Sequence, residues 1–385
     1  MKALSFGGNG LEYFKIWIVN ILLTILTFGL YYPWAKVRRN RYFYGNTSLQ
    51  ERDFEYHATG KQLFFGYLIA LVLFVIYIVF SEIFPILGTL LAIVMFGFIP
   101  WVIVKSMMFN MRMSSFSNVR FGFDGDFSGS YFIFLVLPLL LNLGFGISVA
   151  IAFGLFGLHP IIGVVGLLGC LAYAVFAFAY FVKRSSEFYL KNTNFGGGSF
   201  ETTFNLKELM AISLKILGFG LLLTLIIFGI LFAATYSIID LATLQNSLEG
   251  LQTEEEMNIM PLLIGMFTLY AGLILVWVAT MAFSFVLNRE YIYDNTILDN
   301  EIRFSSSLKA LPYVWVVFSN FLLIIFTLGL GAPWAKVRVA KMVVENTYVD
   351  APHGFDRYIT QKQAKSSALG EQIGDAFDVD VGLGM

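Results

Sequence analysis

Apolar positions in this chain do not alternate with polar ones; they run in long, nearly unbroken blocks. Six such blocks cover residues 62–80, 86–109, 131–153, 160–182, 209–236 and 261–287. A hydrocarbon core ~30 Å thick is crossed by about 20 helical residues. Unpaired backbone in lipid is too costly for anything but a helix or a closed barrel, and the lumen-type alternation of a membrane barrel is missing. Each block therefore predicts a transmembrane helix. Two shorter blocks, Phe14 to Leu30 and Tyr313 to Leu330, each break at a glycine (Gly29, Gly329) followed by a Pro-Trp pair.

The segments between blocks divide by charge. Those after residues 80, 153 and 236 hold none of the 25 Lys and Arg residues. The longest, 237–261, carries Asp240, Glu249, Glu254, Glu255 and Glu256, with Leu241, Leu244, Leu248 and Leu251 at the spacing of an amphipathic helix. The other connections hold Lys36, Arg38, Arg39, Arg41, Arg112, Arg120, Lys183, Arg184, Lys191, Arg289 and Arg303. Positive charge stays on the cytoplasmic side, so this second set is expected in the cytoplasm and the acidic loop outside. Lys105 and Lys215 lie close enough to the basic side to snorkel.

The chain also repeats itself. Between 20–47 and 320–347, 15 of 28 positions are identical, including Pro33-Trp34-Ala35-Lys36-Val37-Arg38 and Pro333-Trp334-Ala335-Lys336-Val337-Arg338. A shorter motif, Asn-Thr followed by Phe eight or nine residues on, recurs at Asn46-Thr47, Asn192-Thr193, Asn295-Thr296 and Asn346-Thr347, with a weaker version at Asn118-Val119. The surrounding segments read as short β-hairpins on the cytoplasmic side that could pair into one small sheet. Seven crossings between the two Pro-Trp copies would put them on opposite faces, yet both are basic. The expected fold is therefore an all-α polytopic membrane protein with six full transmembrane helices and two short re-entrant segments; eight spans is the alternative. Residues 1–350 form the membrane domain, with repeat copies at 11–61 and 310–350, and 351–385 form a largely disordered cytoplasmic tail. Within that tail, the acidic and apolar run from Asp375 to Val381 is a candidate docking segment.

Composition agrees with a membrane class: 58% hydrophobic and 13% charged residues, with a mean hydropathy of +0.74. One cysteine, Cys170, allows no intrachain disulfide, and three scattered histidines supply no metal site. The first apolar block lacks a signal-peptidase pattern and is expected to be retained. Mid-membrane carboxylates or lysines, which mark ion-coupled carriers, are missing from the blocks. No catalytic constellation stands out either, so no enzyme, cofactor or nucleic-acid role is expected.

Two groups of candidate contacts remain. Trp34, Lys36, Arg38, Trp334, Lys336 and Arg338 suit an interfacial anchor, or a site for lipid headgroups or another anion. Asn20, Thr27, Asn320 and Thr327 are polar positions at membrane depth that suit helix packing, or a solute contact. Gly163, Gly166 and Gly169 suit close helix approach, Pro138 a kink, and Gly196-Gly197-Gly198 a hairpin turn.

The stretch Thr27-Phe28-Gly29-Leu30-Tyr31-Tyr32-Pro33-Trp34-Ala35-Lys36-Val37-Arg38, with Arg41-Tyr42-Phe43-Tyr44 and Asn46-Thr47, resembles the signature of the YjgN family. The likeness extends to the second copy at 327–338, which departs at Gly331-Ala332, and to the Ser-Ala-Leu-Gly-Glu run at Ser367. It implies a bacterial inner-membrane location and carries over no catalytic residue. Two functions stay open: a transporter or channel for a neutral or lipid-like solute, and a non-enzymatic scaffold that organises lipids or a cytoplasmic partner. A membrane-depth cavity lined by Asn20 and Asn320 would favour the first, and a closed, Phe-filled interior the second.

Overall fold

The structure, a computed structural model, describes residues 1–248 and 260–364. One unit, a helix pair followed by a β-hairpin, recurs along the chain. Strand β1 (Lys2–Phe6) leads into α1 (Gly10–Leu26), α2 (Tyr32–Gly45), β2 (Thr47–Leu49) and β3 (Arg52–Tyr56). Next come α3 (Gly60–Ile83), α4 (Pro85–Arg112), β4 (Ser114–Phe116) and β5 (Val119–Phe123). In the third unit α5 (Phe127–Tyr131), a π turn (Phe132–Val136) and α6 (Leu137–Leu158) make one rod, followed by α7 (Pro160–Lys191), β6 (Thr193–Phe195) and β7 (Gly198–Thr202). The fourth is α8 (Leu206–Leu248), α9 (Met260–Asp294), β8 (Thr296–Leu298) and β9 (Ile302–Ser306). The fifth is α10 (Ala310–Phe326), α11 (Ala332–Glu345) and β10 (Thr347–Asp350), after which residues 355–364 form a tail helix.

The ten strands form one closed antiparallel barrel in the order β1-β10-β9-β8-β7-β6-β5-β4-β3-β2. The fifth hairpin is split between the two ends of the described chain: β1 pairs β10 (Ala3↔Tyr348) on one side and β2 (Leu4↔Leu49) on the other. The Met1 ammonium lies 3.2 Å from the Asp350 carboxylate beside this seam. The expected hairpins do pair into one sheet, and what the all-α expectation lacked is its closure into a barrel: every strand has two neighbours, which removes the edges.

Local chemistry explains why the unit recurs. Each long second helix ends in a pair whose side chains bond back to carbonyls one turn earlier. Asn46, Asn192, Asn295 and Asn346 donate Nδ2 to Tyr42, Phe188, Tyr291 and Met342 at 2.7–2.9 Å. Thr47, Thr193, Thr296 and Thr347 donate Oγ1 to Phe43, Tyr189, Ile292 and Val343 at 2.5–2.8 Å. These bonds occupy carbonyls that a helix end leaves free. The fifth equivalent is Met113-Ser114, where Ser114 Oγ donates to Asn110 O at 2.7 Å. Asn118-Val119 is therefore not a fifth copy. Asn118 lies in a hairpin turn, one of three two-residue turns (Gln50-Glu51, Ser117-Asn118, Gly196-Gly197) with both φ values positive, as tight hairpins require; the β8–β9 turn has three residues, of which Asp299 and Asn300 have positive φ.

All five helix pairs rise from one rim of the barrel, and the four turns lie at the other. Neighbouring pairs touch at α2–α3, α4–α5, α7–α8, α9–α10 and α11–α1, so the helices also close into a ring. Six helical rods, those predicted from the blocks, are long and apolar enough to cross a membrane. The α1–α2 and α10–α11 pairs are shorter. Seventeen residues of α1 span only about 25 Å, and the chain turns back at Phe28-Gly29 (φ 49° and 91°) and Leu328-Gly329 (φ 49° and 92°). Phe28 and Leu328 at these tips are 96% and 95% exposed. Both ends of each short pair join the barrel, so the two Pro-Trp copies share one side of the molecule.

Several finer expectations now have a structural outcome. Gly163 meets Phe156 and Gly166 meets Ala152 and Leu155 in the α6–α7 contact, whereas a side chain at Gly169 would meet open space. Pro138 follows the π turn, a common way to accommodate a missing N–H donor. Helix α8 continues unbroken through Leu248; Leu251 and the glutamates at 254–256 lie outside the described residues. So do Ser367 and the run from Asp375 to Val381. Residues 355–364, part of the tail expected to be largely disordered, form a docked helix.

Candidate functional site

The recurring Phe of the sequence motif lines the barrel. Phe54, Phe121, Phe200 and Phe304 occupy the middle of β3, β5, β7 and β9, and Leu4 takes that place in β1. A second layer comes from the third residue of each short strand: Leu49, Phe116, Phe195, Leu298 and Val349. Period-two alternation turns one set inward, and in three-residue strands that leaves too little sequence to reveal a pattern. The fourth motif copy supplies Phe355, which enters the same lumen from the tail helix. A cavity of about 200 Å³ remains inside.

On the helix side of the barrel lies a second cavity of about 410 Å³, walled by α4, α7, α9 and the π turn. It shares Phe200, Tyr293 and Phe304 with the lumen, so these three rings stand as a neck-like partition between the two spaces. No charged side chain lines either; the polar lining is hydroxyl, from Ser185, Ser186, Tyr189, Tyr293, Thr296, Thr347 and Tyr358. Arg289 holds the neck from behind. Its guanidinium stacks 4.1 Å from the Tyr293 ring centre and donates to Thr347 Oγ1 at 2.6 Å. A third cavity, about 450 Å³, lies between α7, α8 and α9, where Ser213, Thr224 and Thr280 punctuate an apolar wall.

The tail helix closes the turn end of the barrel. Phe355, Tyr358 and Ile359 pack on the lumen cluster, and polar bonds tie the helix to three turns. Lys362 lies 2.5 Å and the Tyr358 hydroxyl 2.8 Å from Asp299 Oδ2. Gln363 donates to Ser117 O at 2.7 Å, and Arg52 to Asp356 at 2.8 Å. Burial alone would push the Asp299 carboxyl up, but donation from Lys362, Tyr358 and the Ser199 amide outweighs it and holds the group below the ordinary carboxylate value. Burial, then the Asp299 charge, pushes the Tyr358 phenol well up, which keeps it a donor.

The residues singled out in the sequence do not converge on these cavities. Trp34 packs over Gly60 and Phe64, and Trp334 over Gly10 and Phe14. The joint between units one and two is thus repeated between units five and one. Thr27 and Thr327 bond back to Leu23 and Leu323 and accept from the Tyr31 and Gly331 amides, shaping the two tips. Lys36 and Lys336 have no ion-pair partner among the described residues, and Arg38 lies 5.9 Å from the Tyr31 ring centre. Asn20 and Asn320 are both buried, but only one is satisfied. Asn320 donates to Ala335 O at 3.1 Å and accepts from Arg338 at 2.9 Å, whereas Asn20 Oδ1 has no partner. Asn320→Leu should therefore cost ~1 kcal/mol by removing the bonds to Ala335 O and Arg338. Asn20→Leu should leave stability unchanged or raise it, because it removes an unsatisfied acceptor. Thermal unfolding of both variants in detergent checks this; equal losses would contradict it.

One Ser–His contact was not legible in the sequence: His57 Nε2 lies 2.7 Å from Ser115 Oγ. Glu55 approaches the same nitrogen at 3.4 Å, so the three cannot act as a relay, and Ser115 is fully buried. Among the described residues no His, Cys, Asp or Glu group could hold a metal ion.

The family model for a bacterial protein of unknown function (DUF898) matches residues 1–376. The chain belongs to this family. Across 90% of its length this DUF898 protein is 30% identical to the inner membrane protein YjgN of Salmonella typhimurium, covering 88% of that protein. It is 28% and 26% identical to the proteins of that name from Escherichia coli O157:H7 and K12, with the same coverage. No solved structure matches it. The six apolar helices of this DUF898 chain fit a multi-pass protein of the bacterial inner membrane.

Proposed function

We propose that the protein is a non-enzymatic conduit for a neutral or lipid-like solute, lying in the inner membrane with its barrel in the cytoplasm. The carrying observation is a pair of adjacent apolar cavities, one between the helices and one inside the barrel, parted by three aromatic rings and lined by no charged side chain among the described residues. Orientation follows from charge. The segments from 80 to 85 and from 153 to 160, which join the crossing helices far from the barrel, contain no Lys or Arg, as expected for the outer side. On this reading the α1–α2 and α10–α11 pairs are re-entrant, and their exposed apolar tips sit in lipid.

The helix ring leaves room for lipid within it. Val72, Leu73, Phe74, Val75 and Ile76 of α3 are all exposed, and five successive residues cover every face of a helix. The inward face of α3 is thus as apolar and open as the outward one. Vesicles reconstituted with the full chain should move a fluorescent phosphatidylcholine between leaflets faster than protein-free vesicles; identical rates would remove the lipid-conduit reading.

A scaffold that organises lipids is the second reading, supported by the Phe-rich lumen and its stopper. It has lost one route, because a closed barrel offers no free edge for strand addition by a partner.

A further inference from the structure

We infer that the neck and lumen are a binding site for one straight alkyl chain, entered tail first from the membrane side, with the tail helix as the competing occupant of its floor. The inference rests on the conduit reading and narrows it to a chain. Three observations carry it.

The space is long rather than round. Two cavities of about 410 and 200 Å³ meet only at the rings of Phe200, Tyr293 and Phe304. Any solute that occupies both spaces must displace those rings, and a flexible chain one methylene wide needs the smallest displacement, whereas a fused-ring solute needs a large one. The lining also lacks charge, so a polar head gains no counter-ion there and stays outside, while each methylene taken from water contributes ~0.8 kcal/mol.

The floor is the third observation. Among the described residues, Phe355 and Tyr358 are the only lumen residues not carried by the barrel or the helices above it. They arrive on a separate helix joined to β10 through Ala351–Gly354, where Gly354 adopts φ 93°. Beside the packing of Phe355, Tyr358 and Ile359, polar ties to Asp299, Ser117 and Arg52 hold that helix at its rim. An occupant seated on detachable polar ties can yield its apolar place to another without disturbing the barrel ladder.

The test uses the full chain in phosphatidylcholine vesicles, in two arms. In one, the phospholipid carries a diazirine at the end of an acyl chain; in the other, the vesicles are unlabelled and a free fatty acid carries it. After irradiation, peptides are mapped for adducts. The inference predicts adducts at Phe121, Phe200 or Phe304 in at least one arm, and the arm identifies whether the chain belongs to a membrane lipid or a free acid. Excess unlabelled straight-chain acid should suppress those adducts while leaving adducts on the exposed Ile69 and Leu73 of α3 unchanged. Leu298→Trp, which fills the lumen, should abolish them, and Phe355→Ala should raise them. Lumen residues free of adducts in both arms, or lumen adducts indifferent to the competitor, would overturn the inference. Lipid movement without lumen adducts would remove the chain site but keep the conduit. Lumen adducts without lipid movement would do the reverse.

Discussion

Proline at Ala3 should destabilise the protein by on the order of 2–3 kcal/mol, although Ala3 is an exposed residue near the N-terminus. The first residues of a chain usually tolerate change. Here β1 has a partner on each side, with Ala3 opposite Tyr348 and Ser5 opposite Ser48, and Ser5 and Ser48 touch through their hydroxyls at 2.7 Å. Proline removes an N–H and its ring crowds the adjoining strand, a loss that barrels do not absorb at an internal strand. The damage would spread, since β1 is the seam between β10 and β2, and opening it exposes two edges together. Ala3→Val is the control: it keeps the donor and suits an exposed strand position. Thermal unfolding in detergent should separate the two, with Val near wild type and Pro far below it. Similar midpoints for both would mean that β1 carries no structural weight.

Asp299→Ala should release the tail helix at neutral pH. Asp299 accepts from both Lys362 and Tyr358, and the Lys362 side chain is only 12% exposed, so truncation strands a largely buried cation. Removing one partner of a charged hydrogen bond costs ~1.5–3 kcal/mol, enough to unseat a ten-residue helix held by few other ties. Limited trypsin digestion reads the outcome at Arg357 and Lys362: protected in the wild type, cleaved early in the variant. Acid should do the same for a related reason. Because Asp299 is held below the ordinary carboxylate value, its contribution is fully present above that value. It is lost as the pH falls through the depressed one. The wild-type helix should therefore remain protected in mildly acidic buffer and yield only below the usual carboxylate range, while Asp299→Ala should show no such transition. Equal protection of variant and wild type at neutral pH would show that apolar packing alone seats the helix.

The membrane helices were legible because each carries its signal in some twenty consecutive residues. Predicted limits such as 62–80 and 160–182 sit inside α3 and α7, whose true ends extend to Ile83 and Lys191. The barrel was not legible, for two physical reasons. Its strands are three to five residues long, and its fifth hairpin joins Lys2–Phe6 to Thr347–Asp350 across nearly the whole chain. No local pattern announces that pairing. The Asn-Thr-Phe motif did carry the information, but its parts act separately. Asn and Thr finish a helix, while the Phe that follows faces the lumen. At the second hairpin Met113-Ser114 does the same work with different residues, so the eye falls on Asn118 instead. The tail helix was not legible because its composition is polar; three apolar residues, Phe355, Tyr358 and Ile359, pack it on the lumen, and their value appears only once the lumen exists.

That lumen depends on ring closure, which one cross-link tests. Ala3→Cys and Tyr348→Cys would be combined with Cys170→Ala in the full chain, in its membrane, under mild oxidation. Residues facing each other across an antiparallel ladder bring their Cβ atoms within about 4.5–5.5 Å, close to disulfide range. After cleavage of the long connection between α8 and α9, closure predicts that the N- and C-terminal fragments run as one species until a reductant is added. Fragments that separate without reductant would contradict the ring, and with it the lumen and its stopper.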